Sequence, residues 1–518
     1  MILIYPPVAR PSEPPAGIAH LSGALNRHGV SHAVLDANIE GILHLLQKPH
    51  HASYHSSDRW TIRAFRNRAE NLLSLKRWDT YAHFDSYKRT VLEVNRALRS
   101  SSGSNDIAIG LANYEDRELS PLKSRDLIWA AEDPGRNPFY PYFEKRLTAL
   151  MEEKRPSVVG FSLNYLSQAL CAFAMAGFIR KSFPRVKIVL GGGLVTSWMR
   201  GPHWKNPFGG LVDRLVAGPG EHQLLSMAGI HDVKEDFTPD YSSLQTNDYL
   251  SPGFILPYSA SRGCFWHRCS FCPERAEDNP YIPVPVTQVI TDIPELTRKT
   301  NSALVHFLDN AMSISLMRAL PETAGGIPWY GFARISRELT DTDFCTALKR
   351  SGCVMLKLGL ESGDQGVLDG MQKGIDIDTA SQALKALTKA GIATYVYLLF
   401  GTPWETASSA RRTLEFTVRH RDTIGFLNLA IFNMPLCWSG AGQLETRSFY
   451  DADLSLYTDF LHPEGWDRKQ VRYFLENEFK RQRDVSSILE KDPPLFTSNH
   501  APFFVMRRGS YRAHYRGG

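Results

Sequence analysis

The sequence predicts an α/β protein in two parts: a doubly wound parallel sheet, then a full or partial barrel of about six βα units. Two observations carry this. Short apolar runs alternate with amphipathic stretches of helical period from the first residue to about 230, with one long interruption. The same alternation starts again near 250 and continues to about 440. Strands separated by helices are parallel, because parallel neighbours need a crossover and the crossover is right-handed.

"MILIYPP" is a short buried strand, "AGIAHLSGALNRHGV" an amphipathic helix, and "HAVLDAN" a second strand. Residues 48–154 interrupt the pattern; they are rich in charge and aromatics, read mostly helical, and contain the loop "SSSGSND". The pattern resumes with the strand "SVVGFSLNY", the helix "SQALCAFAMAGFIRKSF", the strand "KIVLGGG" and a last strand, "RLVAGPGE", that ends in a turn. The first domain is therefore 1–47 plus 155–230, split by an insert at 48–154. Ligands of doubly wound sheets sit at the carboxyl ends of the strands. Those ends carry Pro6 and Pro7, the run Asp36 to Gly41 with Asn38 in it, Asn164, Gly191, Gly192, Gly193, Gly218 and Glu221.

In the second region, 231–444, "LPYSASRG", "ALVHFLDN", "IPWYGFARIS", "VMLKLGLESG", "ATYVYLLFGTP" and "IGFLNLAIFNMP" read as strands. "DTASQALKALTKAG" and "ASSARRTLEFTVRH" are helices between them. Function in such a barrel belongs at the carboxyl ends of its strands. Residues 445–518 are less regular, and the basic end "RRGSYRAHYRGG" reads as a frayed terminus.

Composition excludes several classes. The chain has 518 residues, enough for roughly two to four domains. Its 59 Lys+Arg against 54 Asp+Glu leave a formal charge of +5, too weak to argue for nucleic acid or a membrane surface. The start lacks a basic n-region and a long apolar run, and no stretch approaches the ~18 apolar residues of a membrane span. The expected location is cytoplasmic. The seven cysteines then read as thiols or metal ligands, not as a disulfide framework.

Three of the seven lie in "SRGCFWHRCSFCPE": Cys264, Cys269 and Cys272, spaced C-x4-C-x2-C. Three readings compete. Core thiols rarely cluster this way. Zinc would need His267 as a fourth ligand, crowded inside the loop, and no second C-x2-C pair follows. A 4Fe-4S cluster on three thiolates would leave one iron open, on a loop that leaves a barrel strand.

These residues and three further motifs resemble the radical S-adenosylmethionine superfamily. "SRGCFWHRCSFC", with Phe271 before the last cysteine, is similar to its cluster loop. "HFLDNAM" (306–312), "LKLGLESGDQGVLDGMQKG" (356–374) and "YLLFGTPWET" (397–406) are similar to its second-, fourth- and fifth-strand elements. The commonest spacing in the superfamily is C-x3-C-x2-C; the extra residue here resembles a branch whose loop reads like "RGCYWxxCxFC". The resemblance implies an open iron that chelates S-adenosylmethionine, reductive cleavage to a 5′-deoxyadenosyl radical, and an electron donor such as flavodoxin or ferredoxin. It assigns Asp309 and Asn310 to the methionyl ammonium (or to a strand-end turn), Arg334 to the carboxylate (or to pairing with Glu361), Glu361 to the ribose or amino group, and Gly401 and Pro403 to the adenine (or to an ordinary turn). Cys345 and Cys353 read as core. Cys437 reads as core or as facing substrate.

The first domain, with its "GGG" and "GPGE" turns, resembles the cobalamin-binding domain of cobalamin-dependent radical enzymes, and "PDYSSLQTNDYLSP" is similar to the same subfamily. The fold class is thus a cobalamin-binding-like doubly wound domain followed by a full or partial radical S-adenosylmethionine (βα)6 barrel. A widespread cobalamin pattern is Asp-x-His-x-x-Gly. Asp36 and Gly41 fit it, but Asn38 replaces the histidine, and an amide is a poor donor to cobalt. Cobalamin without a protein imidazole, or a domain that has lost cobalamin, are the two consequences.

The resemblance implies a methyltransferase acting on an unactivated carbon, or phosphorus, of a small molecule. A radical cyclisation, rearrangement or oxidation without methyl transfer is the alternative. Methylthiolation of tRNA calls for three more cysteines in the first domain, which has only Cys171. A zinc- or iron–sulfur-bearing binding protein is the non-enzymatic reading.

Overall fold

The computed structural model describes residues 1–47, 59–104, 106–202, 204–234, 237–244, 247–322, 326–438, 440, 444–494 and 496–508. The basic end at 509–518 lies outside them. The chain divides into two compact units. The first is Met1–Phe254 with Asp451–Leu456 and Pro494–Phe496; the second is Ile255–Tyr450, Tyr457–Pro493 and Thr497–Gly518.

The first unit is built on a five-stranded parallel sheet in the order Ala33–Asp36, Ile2–Tyr5, Val158–Ser162, Lys187–Gly191, Arg214–Leu215. The chain winds one way from Ile2–Tyr5 and the other way from Val158–Ser162. Their carboxyl ends form the switch point where such sheets take a ligand. The helix Leu166–Ser182 is apolar on every face and almost wholly buried. A helix of that kind needs cover on all sides, and the segment between the second and third strands provides it. A Cβ at Gly177 would lie 1.9 Å from the carbonyl oxygen of Ala131, so the inserted helix Ser124–Glu132 packs backbone to backbone against it. The insert also holds the helices Arg59–Arg66, Arg68–Leu75, Phe84–Ser101 and Tyr140–Lys154, and an antiparallel hairpin, Ile107–Ile109 with Tyr114–Asp116. The hairpin is not visible as helical period, and Arg136 pins it through Asp116 at 2.6 Å.

The second strand ends earlier than its apolar pattern suggests. "HAVLDAN" reads as strand throughout, whereas Ala33–Asp36 is strand and the helix Ala37–Gln47 follows at once. The reason is Asp36, whose Oδ1 accepts the backbone N–H groups of Asn38 and Ile39 (3.1 Å each) and so starts the helix.

The second unit carries six strands in sequential order: Phe254–Tyr258, Ser302–Phe307, Trp329–Ala333, Cys353–Glu361, Ala393–Phe400 and Phe426–Ile431. The pairings from the second strand to the sixth are all parallel. The first and sixth strands stand at opposite edges, so the barrel is partial. Asp341, Asp376 and Thr406 cap the helices Thr342–Arg350, Ile377–Lys389 and Ala407–Arg419. Phe332, Lys357 and Tyr395 lie in register across the third, fourth and fifth strands. Lys357 Nζ meets His306 Nε2 at 2.9 Å, and the His306 ring stacks on Tyr330. After the sixth strand, Met434–Pro435, Tyr457–Phe460 and Thr446–Arg447 form a small antiparallel sheet. The region after 445 is more regular than its sequence suggests: Arg468–Phe474 and Arg483–Leu489 are helices, and Phe474 and Phe479 bury themselves on Phe400 at the end of the fifth strand. No helix among the described residues is long and apolar enough to cross a membrane.

Candidate iron–sulfur loop and switch-point site

The cysteine loop is an excursion from the end of the first barrel strand. Ser261–Arg262 pairs antiparallel with Ile282–Pro283 and closes the loop at its base. Gly263 has φ +70°, and a Cβ there would stand 2.3 Å from the carbonyl oxygen of Pro280, so only glycine passes. Asp309, 2% exposed beyond the second strand, accepts the Ala260 N–H (3.0 Å) and the Ser261 hydroxyl (2.5 Å). Burial pushes its carboxyl up to about 6. Asn310 donates to the Gly263 carbonyl at 3.3 Å. Both residues thus hold the entrance of the loop.

Within the loop Cys264, Cys269 and Cys272 are free and half-buried. Burial raises the Cys269 thiol, and Lys373 and then Arg334 act against it by favouring the thiolate. Burial also raises Cys272, to about 11. Among the described residues no three His, Cys, Asp or Glu side chains are placed to hold a single metal ion. His267 instead faces Asp278 Oδ1 at 3.7 Å. Three thiols on one loop beside the cations Lys373 and Arg334 are the type of donor that an iron–sulfur cluster takes.

The fourth strand supplies the loop's partner. Glu361 sits at a register shift at the end of that strand with φ +70°, a region that strains any residue with a side chain. Its Oε1 accepts from Lys373 Nζ at 2.7 Å. A Cβ on Gly359 would fall 2.6 Å from Glu361 Oε1 and 3.0 Å from Lys373 Nζ, so that glycine makes the space for the pair. The turn 370–374, after the short helix Gln365–Gly370, then grips the cysteine loop through its carbonyls. Met371 O and Gly370 O accept the Ser270 N–H and hydroxyl (2.9 and 3.2 Å), and Gln372 O accepts the Trp266 indole N–H at 3.3 Å. Arg334 stacks over the Trp266 ring at 3.7 Å and donates to the carbonyls of Lys373 and Gly374. Its guanidinium thus forms part of this clamp and also interacts with Cys269, while Glu361 pairs with Lys373. Phe271 lies under Lys373, with Nζ 5.4 Å from the ring centroid.

The glycine–proline turn has its own organiser. Gly401 (φ +79°) donates its N–H to Glu405 Oε2 at 2.5 Å, and Trp466 Nε1 donates to the same oxygen at 2.9 Å. Glu405 is fully buried, which pushes its carboxyl up to about 7. Pro403 is buried in the same turn. Cys345 and Cys353 are fully buried, whereas Cys437 is half-buried beyond the sixth strand. Lys373, Trp266 and Glu405 were not among the residues singled out from sequence. Lys373 lies in the quoted run "GMQKG" and Glu405 in "GTPWET", yet their roles depend on turns that spacing does not reveal.

In the first unit, Asn164 and the glycine turn do converge at the switch point. Gly192 has φ +105°, and a Cβ there would be 2.5 Å from the Leu163 carbonyl oxygen. Gly193 donates its N–H to Asn164 Oδ1 (2.9 Å), and Gly191 O accepts from Leu163 N at 2.7 Å. Gln168, fully buried, joins the two central strands: its Oε1 accepts the N–H groups of Asn164 and Tyr165, and its Nε2 donates to Pro6 O at 2.8 Å. Gly218 donates to Thr196 Oγ1 (2.9 Å), and Glu221 meets His20 Nδ1 at 2.7 Å. Asp36, Asn38 and Gly41 have other tasks. The Tyr249 hydroxyl donates to Asp36 Oδ2 at 2.8 Å, and burial lifts that carboxyl to about 6. Asn38 is buried with its amide doubly bonded to the Ala9 backbone (2.8 and 3.0 Å). A Cβ on Gly41 would stand 3.0 Å from the Phe139 ring. His28 and His32 also spend their ring nitrogens inside the unit, on Ala24 O and the Lys234 N–H, and on Ser22 and Val30 O.

Comparison with known proteins places these elements. Residues 258–417 match the Radical SAM superfamily and form a Radical SAM domain. An uncharacterized methyltransferase, PH0819, of Pyrococcus horikoshii is 25% identical over 197 residues, 36% of this chain and 42% of that protein. The anaerobic magnesium-protoporphyrin IX monomethyl ester cyclase of Rubrivivax gelatinosus is 24% identical over 210 residues, 39% and 36% of the two chains. The chain thus spans less than half the length of these curated relatives. The radical S-adenosylmethionine methyltransferase TsrM from Kitasatospora setae, solved with its tryptophan substrate and a cofactor analogue, shares the fold with a TM-score of 0.53 over 87% of this chain and 79% of its own, at 14% identity.

Proposed function

We propose, from the Radical SAM domain and the doubly wound unit that precedes it, that the chain is a cobalamin-dependent radical S-adenosylmethionine enzyme. Its reaction is methyl transfer to an unactivated carbon, or phosphorus, of a small molecule. The observation that carries this is the pairing of two sites in one chain: three thiols on a loop at the end of the first barrel strand, and a glycine-lined switch point on a sheet of order 2-1-3-4-5. The likeness of fold to TsrM over most of the chain, and the methyltransferase among the relatives, support the same reading.

When bound, the cluster supplies an electron and an open iron for S-adenosylmethionine, and cobalamin supplies the methyl group. The residues of this chain bind and orient. Cys264, Cys269 and Cys272 hold the cluster. Asp309 and Asn310 fix the loop that carries them. Glu361 presents its second carboxylate oxygen toward an amino or ribose group, with Lys373 holding the first. Gly401 and Pro403 let the backbone approach the adenine, on a turn set by Glu405. Asn164, Gly191, Gly192 and Gly193 edge the cobalamin site. A flavodoxin or ferredoxin delivers the electron.

Anaerobic reconstitution followed by turnover with small-molecule extracts tests the reaction type. Methyl transfer yields 5′-deoxyadenosine and S-adenosylhomocysteine together. Sustained 5′-deoxyadenosine formation alone would replace methyl transfer with another radical reaction, and neither product under reducing conditions with cluster bound would remove the enzymatic reading.

A further inference from the structure

We infer that Lys373 sets the reduction potential of the iron–sulfur cluster and fixes the loop that carries it, acting as a positioning residue through its ammonium and the turn around it. The inference rests on the cluster reading given above and concerns a residue to which that reading assigns no part beyond holding Glu361.

The geometry is specific. Lys373 is 9% exposed, so its ammonium has left water. That is costly unless a partner and a fitted space are provided. Both are: Glu361 Oε1 at 2.7 Å, and the room left by Gly359. The backbone at Glu361 accepts a positive φ at the same place. This much structure for one buried pair calls for a purpose beyond a surface-type ion pair, and the Lys373 neighbours name it. Its ammonium stands over Phe271, the residue immediately before Cys272. The turn that carries Lys373 also holds Ser270, the residue after Cys269, through the carbonyls of Met371 (2.9 Å) and Gly370 (3.2 Å). The ammonium of the pair therefore lies beside the segment that bears Cys269 and Cys272.

A cluster held by three thiolates carries net negative charge and gains one more on reduction. A fixed cation close by stabilises the reduced form more than the oxidised one, and the more so away from solvent. The same residue's backbone is held by Arg334, whose guanidinium also stacks on Trp266 of the cysteine loop. Side chain and main chain of Lys373 thus both act on the loop that bears the thiols.

The test is a redox titration of the reconstituted full chain followed by paramagnetic resonance, with no S-adenosylmethionine and no substrate. Lys373→Met should retain iron and sulfide and titrate at least 59 mV lower, the one-electron equivalent of a tenfold change. Lys373→Arg, which keeps the charge, should titrate with the wild type. Glu361→Gln, which removes the opposing charge, should titrate higher. A K373M cluster at the wild-type potential overturns the inference, as does a K373R potential as low as that of K373M. If K373M takes up no cluster, E361Q decides: a raised potential supports the role, and an unchanged or lower one overturns it. Failure of the wild type itself to take up iron and sulfide would instead overturn the cluster reading on which this rests.

Discussion

Cys264, Cys269 and Cys272 owe their accessibility to a loop that leaves the sheet, whereas Cys345 is enclosed, with its thiol 3.4 Å from the Leu339 carbonyl oxygen. Replacing any of the first three with alanine should remove most bound iron after reconstitution, and Cys345→Ala should keep it; iron and sulfide analysis separates the cases. Glu361→Gln should retain the cluster and bind S-adenosylmethionine about ten- to a hundredfold more weakly, since a hydrogen bond to a charged group contributes roughly 1.5–3 kcal/mol. Titration calorimetry measures this, and unchanged affinity would take Glu361 out of the site. The thiols could be found from spacing alone, because three cysteines in nine residues need a reason. Lys373 could not. Its place depends on a register shift at Glu361 and on the turn after the helix Gln365–Gly370, neither of which has a periodic signal. Asn38 shows the opposite limit: the sequence marks it as a substitution in a cobalt-ligand frame, while the fold gives it the backbone of Ala9.

At the level of elements, the turns have the strictest demands. Gly192→Ala would place a Cβ against the Leu163 carbonyl at a positive φ. Strain of this kind costs about 1–3 kcal/mol before the clash is counted, so the variant should melt earlier and lose cobalamin retention. Glu405 gives a pH dependence. Its carboxyl is raised from 4.5 to about 7 by burial, so the folded state holds the proton more tightly than the unfolded chain. Its contribution to stability is complete below about pH 4.5 and is lost as the pH rises through 7. Glu405→Gln should abolish that fall, so that the variant gains on the wild type between pH 5 and 7, by a few kcal/mol at most at about 1.4 kcal/mol per pH unit. Thermal melts across that range read it directly; parallel profiles for the two proteins would contradict it. The strands and most helices were legible because they repeat every two or 3.6 residues. The hairpin Ile107–Ile109 with Tyr114–Asp116 was not, since three-residue strands carry no period. The strand-to-helix boundary at Asp36 has no hydrophobic signal because a capping side chain decides it.

On the scale of the whole molecule, each unit is an α/β layer system whose strand ends hold the glycines and polar residues, and the alternation of the sequence predicts both. The reach of sequence stops where the insert begins to matter: residues 124–132 cover a helix that its own pattern leaves apolar all round. The proposed function joins two cofactors in this chain: a three-thiolate 4Fe-4S cluster in one unit and cobalamin without a protein imidazole in the other. Asn38 is committed to Ala9, and His20, His28 and His32 have ring partners within their unit. A single paramagnetic resonance spectrum of the reduced holoprotein tests it. The expected spectrum has an iron–sulfur signal that changes shape on addition of S-adenosylmethionine, beside cob(II)alamin lines free of nitrogen superhyperfine splitting. Nitrogen splitting on the cobalt lines, an iron–sulfur signal indifferent to S-adenosylmethionine, or no retained cobalamin would contradict it.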